Sequence, residues 1–331
     1  MGGLNAVSAE ELAQAVVAGN RRALAKTITF IESTRDDHRH FAEDVLRLLL
    51  PYTGKGIRVG ISGVPGVGKS TFIESFGLHV VNEKHRIAVL AIDPSSPRTG
   101  GSILGDKTRM EMLSRCPDAF IRPSPSGGTL GGVARRTREA MLACEAAGFD
   151  VVLIETVGVG QSETAVADMT DMFLLLLVPG GGDELQGIKK GIVELADAIV
   201  VNKADGDLKA AADRAMREYK SALHLLRPAS ERWSPPVLRC SALNNVGIDN
   251  VWNTVSDYRK IMTETGEIAA RRSQQAVAWM WSDVRDNLLS MFRTHPAVTV
   301  KLEMLEHEVA DGRQTPMAAA RVLLESFLQD K

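Results

Sequence analysis

An α/β fold with a doubly wound, mostly parallel sheet, extended by helices at both ends, is predicted by three features of the sequence. Short, nearly continuous apolar runs alternate with helical stretches through the middle of the chain, as expected for parallel strands buried on both faces. A glycine-rich loop separates the first of these runs from the helix that follows it. Both ends of the chain have a helical period of apolar residues and lack strand-like runs.

The expected strands lie at residues 57–62, 87–92, 119–122, 151–155, 172–178, 198–201 and 237–240. The predicted parts of the chain are an N-terminal helical extension over residues 1–50, the sheet domain over 51–256 and C-terminal helices over 257–331. Ser8 and Glu11 form an S-x-x-E pattern, which predicts a capping box at the start of the first helix.

Composition and charge exclude several classes of protein. The chain has 331 residues, 44% of them hydrophobic and 24% charged, and a net charge of -2, so its charge balance gives no indication of binding to nucleic acid or an acidic membrane. Its three widely spaced cysteines predict neither a disulfide framework nor a zinc site. The start of the chain lacks a secretory signal, and the apolar run 172–178 is too short to cross a bilayer. We expect a cytoplasmic protein without a nucleic-acid or membrane partner.

The loop after the first strand matches the phosphate-binding pattern G-x-x-x-x-G-K-S. It consists of Gly63, Val64, Pro65, Gly66, Val67, Gly68, Lys69 and Ser70, and Thr71 follows it. Glycines let backbone N–H groups turn inward around phosphate oxygens, and the next helix adds its positive N-terminal end. The catalytic Lys69 is expected to reach the β- and γ-phosphates, and the Ser70 hydroxyl is expected to bind Mg²⁺. The strand–loop–helix order favours this interpretation over a simple turn.

A guanine-recognition motif follows the strand expected at 198–201. Asn202, Lys203 and Asp205 form the pattern N-K-x-D. One carboxylate can accept hydrogen bonds from the N1–H and the exocyclic amine of guanine, and adenine has no such pair of donors, so Asp205 predicts guanine selectivity. The stem of Lys203 can lie on the ring, and Ser241-Ala242 can present a backbone N–H to guanine O6. The chain is predicted to bind GTP and GDP.

Carboxylates at the ends of other strands are candidates for the metal site and the hydrolytic step. Glu155 begins the sequence E-T-V-G, in which the Gly158 N–H is the expected sensor of the γ-phosphate. Glu155 could hold the hydration shell of the metal or orient the attacking water, and we predict that it is catalytic. Asp93 and Asp106 are further candidate Mg²⁺ ligands, direct or through water, although each could instead cap a helix or form a turn.

Two other groups of residues are interpreted as structural. Arg135, Arg136 and Arg138 are expected on a solvated helix face, from which one of them could reach a phosphate. Trp279 and Trp281 are expected to be core or interface anchors of the C-terminal helices. Neither group is included in the predicted site.

These motifs together resemble one family. Residues 63–70, the D-P-S-S-P at 93–97, the E-T-V-G-V-G-Q-S-E at 155–163 and the N-K-A-D at 202–205 are similar to the MeaB/ArgK family of GTPases, and the resemblance covers essentially the whole chain. It implies a GTPase that is a chaperone of adenosylcobalamin-dependent methylmalonyl-CoA mutase. GTP hydrolysis would be coupled to cofactor loading and to protection or reactivation of the mutase. The resemblance also implies a homodimer in which the C-terminal helices make an arm.

Three other functions stay open. Nickel-delivery GTPases share this branch of the P-loop class, but they usually carry clusters of Cys or His that this sequence lacks. A kinase linked to basic amino-acid transport is a second alternative, and Asp205 argues against the adenine preference that it needs. A nucleotide-binding scaffold without hydrolysis is the third, and the presence of Lys69, Ser70 and Glu155 argues against it.

The segment 179–190 is the predicted partner-sensing switch. It follows the strand expected at 172–178, at the edge of the sheet where nucleotide should bind, and it contains three consecutive glycines. Lys189 is the leading candidate for a catalytic cation that moves when the mutase binds, because such a cation raises the turnover of slow P-loop GTPases. A glycine-rich connecting loop is the alternative interpretation.

Overall fold

A computed structural model describes residues 7–92, 110–123, 130–156, 162–180, 190–224 and 230–329. The chain forms two compact units, Met1–Ser273 and Gln274–Lys331. The first unit contains a seven-stranded sheet with helices on both faces, and every neighbouring pair of strands is parallel. The predicted doubly wound α/β fold is confirmed.

The strands are β1 (Ile57–Gly63), β2 (Ile87–Ile92), β3 (Ala119–Arg122), β4 (Val151–Thr156), β5 (Met172–Leu177), β6 (Ala198–Val201) and β7 (Val237–Arg239). Every residue of β1, β2, β4, β5 and β6 is buried. This burial on both faces explains why most of these strands are nearly continuous apolar runs in the sequence. The seven predicted runs are the seven strands, and four of them differ by one residue at one end.

The strand order is β3-β2-β4-β1-β5-β6-β7, so β1 lies in the middle of the sheet. It pairs with β4 from Ile57 opposite Val151 and with β5 from Val59 opposite Met172. Since all the strands are parallel, their carboxyl ends meet at one edge of the sheet. The carboxyl ends of β1, β4, β6 and β7 therefore lie at the same edge.

The helices of the described ranges are α1 (Ala9–Val17), α2 (Arg21–Glu32), α3 (Asp36–Leu49), α4 (Lys69–Asn82), α5 (Glu111–Arg115), α6 (Leu130–Ala146), α7 (Ser162–Ala167), α8 (Lys190–Leu195), α9 (Lys209–Leu223), α10 (Ile248–Glu264), α11 (Glu267–Thr294), α12 (Pro296–Ala310) and α13 (Pro316–Gln329). In the first unit α4 packs against α10, whereas α6 packs against α7 and against α1, α2 and α3. In the second unit α12 packs against α13. Within the residues described, we find no helix with both the length and the apolar character needed to span a membrane.

The N-terminal helices begin where the sequence predicts. The Ser8 hydroxyl accepts a hydrogen bond from Glu11 N, and the Glu11 carboxylate accepts one from Ser8 N, both at 3.1 Å. The predicted capping box is therefore present, and its two bonds satisfy N–H groups that have no partner inside the helix. An ion pair between Glu32 of α2 and Arg122 of β3 joins these helices to the sheet.

The prediction that Arg135, Arg136 and Arg138 lie on a solvated face of α6 is wrong. Arg138 is only 9% exposed, and Arg135 and Arg136 are half-buried. The cause is tertiary packing, because α6 is covered by the N-terminal helices on one side and contacts α7 on another. Charged residues on a helix indicate a solvated face only when no other element covers that helix.

Candidate functional site

The loop after β1 has a shape that requires glycine. Gly66 and Gly68 have φ angles of +83° and +89°, in the left-handed region that L side chains rarely adopt. Gly68 also caps α4, and a Cβ atom there would lie 3.0 Å from the Asn202 amide nitrogen. The first N–H groups of α4 have no partner within the helix, so they supply the donors that a phosphate needs.

Lys69 is a partly buried cation at this loop. Its ammonium donates a hydrogen bond to the Gly63 carbonyl at 2.8 Å. Burial lowers the pKa of Lys69, and the negative charges of Glu155 and Glu163 partly offset that effect. A cation held out of water in this way interacts with a phosphate more strongly than an exposed lysine does.

Two acidic side chains lie near Lys69 at the carboxyl edge of the sheet. Glu155, near the end of β4, is 8% exposed, and Glu163, in the first turn of α7, is 5% exposed. The Thr156 hydroxyl donates a hydrogen bond to Ser62 Oγ at 2.9 Å, and this bond fixes the end of β4 to β1. Sequence analysis identified Glu155 but not Glu163, because burial of the latter follows from the packing of α7.

Asn202 joins the phosphate loop to the base-recognition loops. Its side chain is 2% exposed, and its amide nitrogen donates a hydrogen bond to the Val67 carbonyl at 2.9 Å. Its amide oxygen accepts a hydrogen bond from Ala242 N at 3.1 Å. Sequence analysis grouped Asn202 with the nucleotide-binding residues, and these bonds give its side chain a positioning role between three loops.

We expect Asn202→Ala to weaken GDP binding by roughly tenfold or more, because two buried hydrogen bonds that align the loops are lost. Asn202→Asp keeps the acceptor for Ala242 N and loses the donor to Val67 O, so it should show how much each bond contributes. Fluorescent-GDP titration measures the affinity, and thermal unfolding of the same samples reports stability. Asn82→Ala, an exposed position in the last turn of α4, is the control. Unchanged GDP affinity in Asn202→Ala would contradict the positioning role.

The base-recognition carboxylate is held in place by a hydroxyl. Asp205 accepts a hydrogen bond from Ser241 Oγ, which in turn accepts one from Asn244 N at 3.2 Å. The loop is closed by reciprocal backbone bonds between Ser241 and Val246, at 2.9 and 3.1 Å. A cavity of about 690 Å³ is lined by Asp205, Ser241 and Asn244, among other residues. The carboxylate that would read guanine is therefore oriented before any base arrives.

Lys203 has an uncommon backbone conformation and a side-chain position that suits its predicted role beside the guanine ring. Its φ angle is +57°, which is uncommon for a residue with a side chain. The Cε atom of Lys203 lies 3.9 Å from the position of a Cβ atom on Gly68. Its aliphatic stem thus runs beside the phosphate loop, where it can cover one face of a bound ring.

The predicted site residues that the structure describes converge on the carboxyl edge of the sheet. They are residues 63–71 after β1, Glu155 at the end of β4, residues 202–205 after β6 and residues 241–242 after β7. Asp93, Asp106, Gly158 and Lys189 lie outside the described residues.

The oxygen donors present fit magnesium. Ser70 and Glu155 offer a hydroxyl and a carboxylate, which are the ligand types that Mg²⁺ prefers. Across the part of the chain that the structure describes, no three His, Cys, Asp or Glu side chains are grouped so that they could hold a metal ion. A magnesium ion held by Ser70 or Glu155 would therefore take its other ligands from water, phosphate oxygens or residues outside the described ranges.

Comparison with known proteins gives a consistent result. The family described as methylmalonyl Co-A mutase-associated GTPase MeaB matches residues 24–297. The GTPase ArgK of Escherichia coli is 51% identical over 272 residues, which is 82% of each chain. The mouse protein called methylmalonic aciduria type A homolog, mitochondrial, is 50% identical over 328 residues, 96% of this chain and 79% of its own.

A solved structure, described as an LAO/AO transport system kinase, is 38% identical and covers 99% of this chain and 100% of its own, with a TM-score of 0.78. The family match over residues 24–297 includes the phosphate loop, the sheet and the base-recognition motif. The family match covers far more than half of the sequence. The chain belongs to the MeaB family of GTPases.

Proposed function

We propose that this GTPase is a cytoplasmic chaperone of an adenosylcobalamin-dependent methylmalonyl-CoA mutase. It would couple hydrolysis of GTP to loading of the cofactor and to protection or reactivation of the mutase. The family match carries the proposal, since the description of the family names that mutase. The mouse relative, named after methylmalonic aciduria, supports it.

Each of the described site residues has its own role in GTP hydrolysis. The N–H groups of the phosphate loop hold the phosphates, and Lys69 neutralises charge that develops between the β- and γ-phosphates. Glu155 orients the attacking water, whose oxygen bonds to the γ-phosphorus as the bond to the bridging oxygen breaks. GDP leaves with that electron pair, and the proton of the water passes to a γ-phosphate oxygen. Mg²⁺, when bound, adds positive charge on the phosphate oxygens. Asp205 selects the guanine base.

The test of the chaperone role is GTP turnover with and without the mutase. We expect modest intrinsic turnover that the mutase stimulates, because a free P-loop GTPase is slow until a partner completes its site. Lys189→Ala should keep the intrinsic rate and lose most of the stimulation, and Lys190→Ala is the adjacent control. Phosphate release, measured at saturating GTP, reports both rates.

Each outcome of this experiment is informative. Equal stimulation of the wild type and Lys189→Ala would reject Lys189 as the moving cation. Absence of stimulation in the wild type, in the presence of mutase that binds its cofactor, would reject the chaperone proposal itself.

We expect Glu155→Ala to slow hydrolysis by roughly 10²-fold, the usual contribution of a group that positions or activates water. GDP binding should change much less, because the proposed contact arises near the γ-phosphate, which GDP lacks. Single-turnover hydrolysis and GDP titration measure the two effects. Glu218→Ala, an exposed position on α9, is the matched control. Wild-type turnover in Glu155→Ala would contradict the assignment.

We also propose a homodimer formed by the C-terminal helices. The second unit exposes large apolar side chains along α11, among them Val277, Met280, Trp281, Leu288 and Met291, each at least half exposed. Their spacing of three, four, eleven and fourteen residues from Val277 places them on one helix face. An apolar stripe of this length is costly in water, and a second copy of the same helix would cover it.

Light scattering at micromolar concentration tests the dimer. The full-length chain should have the mass of a dimer, and Trp281→Glu should shift it toward the monomer while nucleotide binding is kept. A chain truncated after Ser273, the end of the first unit, should be monomeric and should still bind nucleotide, because it keeps Arg271 and Arg272, which contact Asp171 at the start of β5. A monomeric full-length chain would reject the proposal.

A second candidate function is the kinase role in the name of the solved relative. That role calls for ATP as phosphate donor, whereas the oriented Asp205 carboxylate favours guanine. Comparing turnover of ATP and GTP distinguishes the two functions, and a preference for ATP would favour the kinase.

A further inference from the structure

Arg272, in the first turns of α11, holds the start of β5. Its Nε and Nη2 atoms donate hydrogen bonds to the two carboxylate oxygens of Asp171, at 2.7 and 2.6 Å. The same guanidinium donates to the carbonyls of Gly54 and Gly56, at 2.6 Å each. Asp171 is fully buried and immediately precedes β5, so Arg272 compensates its charge in the interior.

Arg271 extends this contact to the start of β6. Its Nη1 atom donates hydrogen bonds to the Asp171 carbonyl at 2.6 Å and to the Tyr258 hydroxyl at 3.1 Å. The same atom lies 3.4 Å from Asp197 Oδ2, which accepts a shorter bond of 2.8 Å from Phe173 N. Asp197 immediately precedes β6. The two arginines therefore hold the amino ends of both strands.

The carboxyl ends of the same two strands lead to the nucleotide site. β5 ends at Leu177, just before the predicted switch segment 179–190, and β6 ends at Val201, just before Asn202. The strands are paired in register from Leu174–Ala198 to Leu177–Val201, and every residue in them is buried. Close-packed interiors transmit strain, so a shift at one end of such strands is felt at the other.

The contacts of the two arginines differ in strength. Arg272 is bidentate to Asp171 with short bonds, whereas Arg271 divides one nitrogen among three acceptors, the longest at 3.4 Å. Burial raises the pKa of Asp197, and the charge of Arg271 opposes that effect. Arg272 thus fixes α11 to the start of β5. Arg271 has three alternative acceptors, so a small movement of the strands can change which of them it bonds to.

We propose that Arg271 and Arg272 form a latch that couples the nucleotide state at the carboxyl edge of the sheet to the start of α11 at the amino edge. A change in the loops after β5 and β6 alters the positions of Asp171 and Asp197, and the arginines transfer it to residues 267–273. α11 continues from there into the second unit. The proposal rests on nucleotide binding by the first unit and not on the mutase.

Hydrogen–deuterium exchange of the full-length protein tests the latch. Amides of residues 267–273 are compared without nucleotide, with GDP and with a non-hydrolysable GTP analogue. In the wild type the exchange rates should differ between nucleotide states by about fivefold or more, the lower range of allosteric coupling. In Asp171→Asn/Arg272→Met, which removes the ion pair without leaving a buried charge, the difference should disappear.

Two further variants separate the latch from a purely structural brace. Arg122→Met/Glu32→Gln removes another bidentate pair, on β3 at the opposite side of the sheet, and should keep the nucleotide-dependent difference. Arg272→Lys keeps the charge but loses the bidentate geometry, so it should reduce the difference even if the double variant folds poorly. GDP and GTP-analogue affinities, measured on the same samples, show separately whether the nucleotide site is intact.

The latch is overturned if nucleotide leaves the exchange of residues 267–273 unchanged in the wild type. It is also overturned if Arg272→Lys or the double variant keeps the full nucleotide-dependent difference while binding nucleotide. Absence of nucleotide binding in the wild type would instead remove the basis of both the latch and the GTPase function.

Discussion

Replacing Lys69 by alanine is expected to lower GTP turnover by roughly 10²–10³-fold, the usual cost of removing one preorganised charge from a reacting centre. Two observations lead to this expectation. The ammonium lies at the phosphate loop, bound to the Gly63 carbonyl at 2.8 Å, and it is partly removed from water. Such a charge needs little reorganisation to follow the negative charge that develops on the phosphates.

The loss should be larger for catalysis than for GDP binding, because the transition state carries more charge at the bridging oxygen than GDP does. Lys69→Met keeps most of the aliphatic stem, so its agreement with Lys69→Ala would assign the effect to charge. Single-turnover phosphate release is the measurement. Lys260→Ala, exposed on α10, controls for the general loss of a lysine. Turnover of Lys69→Ala within tenfold of the wild type would contradict the role of Lys69.

The sheet could be predicted because its signal is local. A strand buried on both faces is mostly apolar, so the strands at 87–92, 172–178 and 198–201 could be recognised without knowledge of their neighbours in the sheet. The start of the first helix at Ser8 is also a local feature, since a cap acts within one turn. The site motifs 63–70 and 202–205 belong to the same class, because each binds its ligand through consecutive residues.

The parts that the sequence did not predict join residues distant in the chain. Arg272 and Asp171 are separated by 101 residues, and Asn202 and Val67 by 135. Neither pair has a local pattern, because only the strand order brings the partners together. Arg138 is a related case, since its burial depends on the helices that cover α6. A single sequence shows that such residues are charged or polar, but it does not show which residues they contact.

The base site combines both situations. Asp205 can be predicted from its motif. The Ser241 hydroxyl that orients it follows β7, 36 residues further along the chain. The sequence assigns Ser241-Ala242 a backbone N–H for guanine O6. In the structure the Ser241 N–H donates to the Val246 carbonyl at 2.9 Å and the Ala242 N–H donates to Asn202 Oδ1 at 3.1 Å, and it is the Ser241 side chain that contacts Asp205. The selectivity of the site therefore depends on an oriented carboxylate and not on the presence of an aspartate alone.

Asp205→Asn is expected to change the base preference of the protein. In the wild type the carboxylate can accept both guanine donors, and a site built on such bonds rejects a base without them by roughly 10⁴-fold, so GTP should exceed ATP by about that factor. An asparagine amide presents one acceptor and one donor, so it leaves the guanine exocyclic amine facing N–H. GTP affinity should fall by roughly 10–100-fold, the cost of a charged hydrogen bond made unfavourable.

The same substitution should improve binding of XTP, because xanthine carries a carbonyl where guanine carries the amine, and the new amide can donate to it. Competition of GTP, XTP and ATP against fluorescent GDP in wild type and variant measures the preferences. Asp207→Asn, exposed and only two residues further along the chain, should leave them unchanged. Ser241→Ala should give a smaller loss of GTP affinity in the same direction, since the carboxylate remains but is no longer held. Equal affinity of the wild type for GTP and ATP would contradict guanine recognition, and unchanged GTP affinity in Asp205→Asn would show that the base is read by other groups.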